Sequence, residues 1–144
     1  MDQQLLYEDV EVGVEIPMLV KYPTTQKLVM WAGAANDYYQ IHYDKDFAQS
    51  TGLNSVIVHG WLTFSFIAQM VTDWIGESGT LKKINCSYKG MHYPNEEIFC
   101  KGKVTKKYLQ GDECCVECDI WAENREGTIT TPGSATFTLP SYPT

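Results

Sequence analysis

The sequence predicts an α+β fold: an antiparallel sheet curled around one long helix. Three observations carry that expectation. From Gly60 to Ile75 the apolar residues Trp61, Leu62, Phe64, Phe66, Ile67, Met70, Val71, Trp74 and Ile75 cover most of a helical circumference, and such a helix has to be enclosed by other structure. After Gly79 the texture changes to β-branched or alternating segments, 81–89, 98–108, 113–123 and 128–139, which read as strands. Their separators, Tyr93-Pro94-Asn95, Gln110-Gly111-Asp112 and Asn124-Arg125-Glu126-Gly127, are turn sequences, and an antiparallel sheet curled around the helix buries it while leaving the strands one wet face.

In chain order, residues 5–13 form a lead-in and 14–22 (VEIPMLVKY) a first strand. Thr24 is an N-cap candidate for a helix in which Leu28, Trp31, Ala32 and Ala35 recur at helical spacing. That helix should stop near Asn36, because Asn tolerates the left-handed conformation that ends helices. Asp37 to Tyr43 is expected to be irregular; Asp44 then caps a short helix to Ser50, with Gly52 as terminator. On the long helix the polar remainder, Ser65, Gln69, Thr72 and Asp73, falls on one narrow stripe. That stripe reads either as a face toward a partner subunit or channel, or as the least buried side.

A chain of 144 residues with 44% hydrophobic and 20% charged residues is expected to form one domain, 1–144, with a single core. The net charge of −7 argues against a nucleic-acid or polybasic membrane surface. Residues 1–80 hold ten acids and three bases, whereas 81–144 hold eight of each, with Lys101, Lys103, Lys106 and Lys107 clustered. The acidic N-terminus MDQQLLYEDVEVG lacks the parts of a secretion signal. The one membrane-length apolar run, 56–75, carries His59, Gln69 and Asp73, groups costly in lipid, so it reads as a core helix. Five cysteines without a signal sequence suggest reduced thiols and a cytoplasmic setting.

The chemistry-bearing residues cluster in 34–76. Asp37 and His42 stand five positions apart in the irregular segment, and His59-Gly60 opens the long helix. An acid beside an imidazole is what proton transfer to and from water requires, and a helix N-terminus offers unpaired N–H groups to a developing oxyanion. By themselves the two side chains read more readily as a turn cap and a loop histidine than as a shared-water pair.

The run Ala35-Asn36-Asp37-Tyr38-Tyr39-Gln40-Ile41-His42-Tyr43-Asp44 resembles the signature of the MaoC-like, R-specific enoyl-CoA hydratases, roughly S-G-D-x-N-P-[I/L]-H. Val58-His59-Gly60 resembles the family's second block, and Lys89-Gly90-Met91-His92-Tyr93-Pro94 a stretch before a family strand; the likeness runs over about residues 10–140. It implies a hot-dog fold, with Asp37 and His42 acting on one water across the double bond of a 2-enoyl thioester and the Gly60 backbone N–H as oxyanion donor. The product would be an R-configured 3-hydroxyacyl thioester of coenzyme A or of an acyl-carrier protein. No cofactor is implied, coenzyme A being part of the substrate, and no metal; a homodimer is expected, or a heterodimer. Where the family has Gly, Asn and Pro, this chain has Asn36, Tyr39 and Gln40, which points to a loop reshaped for a different acyl group.

Tyr39, His59, Lys101 and Lys103 are candidate substrate-binding residues. For His59 packing or a loop hydrogen bond is the competing role, and for the lysines a solvated strand face. His92 reads as structural or pocket-lining, and three histidines so scattered make no metal set. Cys115 and Cys118, three apart on a strand, point to opposite faces and form neither a metal site nor a disulfide. Two other functions stay open: a hot-dog thioesterase using Asp73, and a non-catalytic partner subunit of a heteromeric dehydratase.

Overall fold

Alternate residues of the three long strands are apolar, and in the computed structural model, which describes residues 4–142, they converge on a single layer. The strands are β1 (Glu15–Lys21), β2 (Thr80–Cys86), β3 (Ile98–Gln110), β4 (Glu113–Glu123) and β5 (Ile129–Leu139). They form one antiparallel sheet in the order β1-β3-β4-β5-β2. Ile98, Cys100 and Val104 of β3, Val116, Cys118, Ile120 and Ala122 of β4, and Ala135, Phe137 and Leu139 of β5 are buried at the strand period of two. They lean on α3 (Gly60–Ile75), whose Leu62, Phe66, Ile67, Met70, Val71 and Ile75 complete the same core. Burial of each such large side chain is worth about 1.5–3 kcal/mol, so sheet and helix stabilise one another. This is the hot-dog arrangement.

One expectation needs correcting. The helix is not enclosed all round: Trp61, Gln69, Thr72 and Asp73 are exposed along one side. The sheet covers only the opposite face, and the polar stripe runs along the open one. Ser65 and Thr72 there turn their hydroxyls back onto the Leu62 and Ala68 carbonyls, at 2.7 and 3.1 Å.

Two helices precede α3. The first, α1 (Thr25–Ala35), is capped by Thr24 Oγ1, which accepts the Lys27 N–H at 3.2 Å, and it buries Leu28 and Ala32. The second, α2 (Lys45–Ser50), is capped by Asp44, which accepts the Phe47 N–H at 3.0 Å. Strand β2 ends at Cys86, not at the expected Lys89. Opposite this point stands Pro132, which has no N–H to donate. Residues 87–90 nevertheless stay moored: the Ser87 N–H reaches the Pro132 carbonyl at 2.8 Å, and the Lys89 and Gly90 N–H groups reach the Thr130 carbonyl at 2.8 and 3.1 Å.

Candidate active site

Asp37 owes its position to the way α1 ends. Asn36 adopts the left-handed conformation (φ 54°), and the Asp37 N–H then bonds back to the Ala32 carbonyl at 3.0 Å. That pair of features is a Schellman ending. The carboxylate oxygen Oδ1 accepts the Tyr39 N–H at 3.4 Å, which leaves Oδ2 unengaged by that turn.

His42 closes a 3₁₀ turn, Gln40–His42, within the segment expected to be irregular. The Ile57 N–H bonds to the Ile41 carbonyl at 3.0 Å, and His42 Nδ1 lies 2.8 Å from the Ile57 carbonyl. A carbonyl only accepts, so Nδ1 carries the hydrogen and the neutral ring keeps its lone pair on Nε2. The next residue of the extended segment, Val58, donates its N–H to the His92 carbonyl at 2.8 Å. Segment 56–58 therefore ties the His42 turn to His92 in the connection between β2 and β3.

His59 is fully buried beneath this pair. Its ring stacks on His42 with centroids 3.8 Å apart and planes inclined by 19°. Its Nε2 faces the Asp37 carbonyl at 3.3 Å and Nδ1 meets no acceptor or donor among the described residues. Burial, and after it the neighbouring His42, hold its pKa below the ordinary histidine value, so the ring supports both Asp37 and His42 without adding charge.

Donor atoms of Asp37, His42 and His59 all lie within 4.8 Å of one another. The three histidines are scattered in sequence, but His42 and His59 meet in space. They still make a poor metal site, because an imidazole binds a metal in its ring plane and two stacked, near-parallel rings cannot both direct a lone pair at one ion.

His42 and Gly60 line one cavity of about 240 Å³, together with Thr63, Tyr88, His92 and Thr131. Gly60 is the first residue of α3, and its N–H is one of those a helix leaves without a partner. At the far wall His92 Nε2 lies 2.6 Å from Thr130 Oγ1, and burial pushes the ring's pKa down to about 4. Asp37 meets His42 from the other side, in a shallower depression shared with Trp31, Ala35 and Trp61. The imidazole and the Gly60 amide thus share one cavity, and the Asp37 carboxylate approaches the His42 ring from a neighbouring depression, with donor atoms of the two within 4.8 Å.

The other candidates sit elsewhere. Tyr39 packs edge-on against His42 and Phe47, with centroids 6.2 and 6.1 Å apart, and braces the turn without lining the cavity. Lys101 is paired with Glu123 at 2.7 Å beside a different depression near Pro17 and Trp121. Lys103 is exposed on β3, in register with Asp119 of β4. Asp73 lines a groove with Met18, Met70 and Trp74, apart from His42. Nothing in the sequence singles out Thr63, Tyr88 and Thr131; residues of ordinary type carry no local signal that a cavity will open beside them.

Among known proteins, residues 6–124 match the MaoC like domain family. Over 94 residues the chain is 29% identical to the 3-oxo-4,17-pregnadiene-20-carboxyl-CoA hydratase beta subunit of Mycobacterium tuberculosis, a match spanning 65% of this chain and 73% of that one. The unliganded R-hydratase PhaJ1 of Pseudomonas aeruginosa superposes with a TM-score of 0.85 at 19% identity, covering 96% of this chain and 87% of that chain. The ChsH1-ChsH2 complex of Mycobacterium tuberculosis includes a chain matching with a TM-score of 0.79 at 23% identity, over 90% of this chain and 98% of that one. At such identities the structural likeness establishes the fold. No helix among the described residues is long and apolar enough to cross a membrane.

Proposed function

The chain belongs to the MaoC-like dehydratase family, and from that premise we propose that it reversibly hydrates a 2-enoyl thioester, trans-2-enoyl-CoA to (R)-3-hydroxyacyl-CoA, with Asp37 and His42 as the working pair. The observation that carries this reading is the His42 ring fixed through Nδ1 on the Ile57 carbonyl, in one cavity with the Gly60 amide and with the Asp37 carboxylate within 4.8 Å.

Water addition then runs as follows. The thioester oxygen accepts the Gly60 N–H. His42 Nε2 takes one proton from a water whose other hydrogen bonds to the Asp37 carboxylate. The water oxygen bonds to the β-carbon, the π pair moves onto the thioester oxygen as an enolate, and the imidazolium returns its proton to the α-carbon. One O–H bond and one π bond are lost; one C–O and one C–H bond are gained. Asp37 offsets the imidazolium charge in the interval. Positioned acid–base groups of this kind contribute about 10²–10⁴ in rate, and an oxyanion donor about 10²–10³.

The test is the loss of enoyl absorbance on hydration. Asp37→Asn and His42→Gln are each expected to lower turnover by about 10²-fold or more with the thermal melt close to wild type. A variant that kept most of the activity would remove its residue from the mechanism. The free cysteines support a reducing, cytoplasmic setting.

A second reading has this chain as one subunit of a heteromeric hydratase. It is favoured by the relative named as a beta subunit and by the open side of α3 around Trp61 and Gln69. Purified protein that runs as a homodimer and is active alone would exclude it.

A further inference from the structure

We propose that Tyr88 sets the acyl-chain length of the substrate, acting as a partition between the cavity that holds His42 and a second hollow on its other side. Its ring is the wall of the 240 Å³ cavity that holds His42, Gly60 and His92. The same ring also walls a second space of about 260 Å³ lined by Trp61, Phe64, Ile84, Asn85 and Cys86. The partition rests directly on the helix start: a Cβ built on Gly60 would meet Tyr88 ring carbons at 3.0–3.2 Å. A bulkier residue at 60 and the Tyr88 ring could not both keep their places.

The backbone on either side of Tyr88 is fixed by the bonds of Ser87, Lys89 and Gly90 to the Pro132 and Thr130 carbonyls. The side chain is 48% exposed. Its ring lies against Gly60 and its hydroxyl beside the Cys86 thiol.

The two spaces differ in character. The first is bounded by Ile57, Val58 and Met91 and by the polar His92, Thr63 and Thr131; the second, more open to solvent, has Trp61, Phe64 and Ile84 with Asn85 and Cys86. At about 30 Å³ per water-sized group, 240 Å³ holds about eight heavy atoms. With its carbonyl at Gly60, a short acyl chain fits the first cavity, and a longer one runs into the ring. Removing the ring joins the cavity to the hollow over Trp61, Phe64 and Ile84 and gives additional methylenes apolar surface to cover, each worth up to about fourfold in affinity when buried.

This inference rests on the thioester reading above, and the experiment separates the two. Saturated butyryl-, hexanoyl-, octanoyl-, decanoyl- and dodecanoyl-CoA are titrated calorimetrically into wild type, Tyr88→Phe and Tyr88→Ala, with Tyr88→Leu as a second truncation and thermal melts confirming the fold of each. Wild type and Tyr88→Phe should bind the short members best and lose at least tenfold in affinity toward dodecanoyl-CoA. In Tyr88→Ala and Tyr88→Leu the order should reverse. An unchanged chain-length profile in both truncations, or no binding of any acyl-CoA by folded protein, overturns the role of Tyr88. Turnover of the matching 2-enoyl-CoAs is measured in parallel: the predicted binding profiles without any hydration would leave Tyr88 as the partition and overturn the lyase reading alone.

Discussion

Replacing His92 by Gln should change how stability depends on pH. His92 is 5% exposed, and burial holds its pKa at about 4, against 6.5 for a free imidazole. In the unfolded chain the ring titrates near its free value, so between pH 6.5 and about 4 the unfolded state binds a proton that the folded state refuses. Above that window both states are neutral and the stability is fully present. Within it, acidification favours unfolding by up to about 1.4 kcal/mol per pH unit. Below it both states are protonated and the loss is complete, at about 3 kcal/mol for the whole step. Glutamine does not titrate, and its amide can still reach the Thr130 hydroxyl that lies 2.6 Å from His92 Nε2. Urea midpoints of both proteins, measured from about pH 7 down to about pH 4, provide the assay. Carboxylates and His59 titrate in both and cancel in the difference. The wild-type advantage at neutral pH should shrink steadily below pH 6.5. Parallel curves would refute a buried, neutral His92.

Three further substitutions test the frame of the site. Asn36→Ala should destabilise by about 1–2 kcal/mol, since Asn36 sits at φ 54°, and should lower turnover by displacing Asp37; Asn36→Gly should keep both, as denaturant titration and the absorbance assay would reveal. Gly133→Ala should cost on the order of 3 kcal/mol or more, because the new Cβ would lie 2.0 Å from the Asn85 backbone oxygen and nothing there can turn aside; a melt near wild type would contradict the β2–β5 register. Trp31→Phe should be neutral or stabilising by up to about 1 kcal/mol, because the Trp31 Nε1 is buried without an acceptor among the described residues. A clear loss of stability in that variant would mean that the packing of the indole against the core outweighs its unbonded nitrogen.

Much of the frame can be read locally. Thr24, Asn36 and Asp44 cap the helices that the sequence assigns to them, because capping is decided within a few residues. The long helix runs Gly60–Ile75 as its apolar texture requires. Strand ends are not set locally: β2 stops at Cys86 because of Pro132, more than forty residues away in sequence but its neighbour across the sheet. The open face of α3 was also hidden, since composition says that a helix wants cover and not how far a five-stranded sheet can wrap it.

For the site the division is similar. Sequence alone determined that an acid, an imidazole and a glycine at a helix start stand in the order and spacing of the MaoC-like family, and that a sheet would hold the helix carrying that glycine. Only the tertiary structure decided that His59 stacks on His42, that His42 gives its Nδ1 hydrogen to Ile57, that Lys101 is spent on Glu123, and that Tyr88 lies over Gly60. The reason is physical. Caps, periods and turns are set by neighbours along the chain, whereas a cavity wall or a stacked ring is set by residues tens of positions apart, brought together only when the sheet closes on the helix.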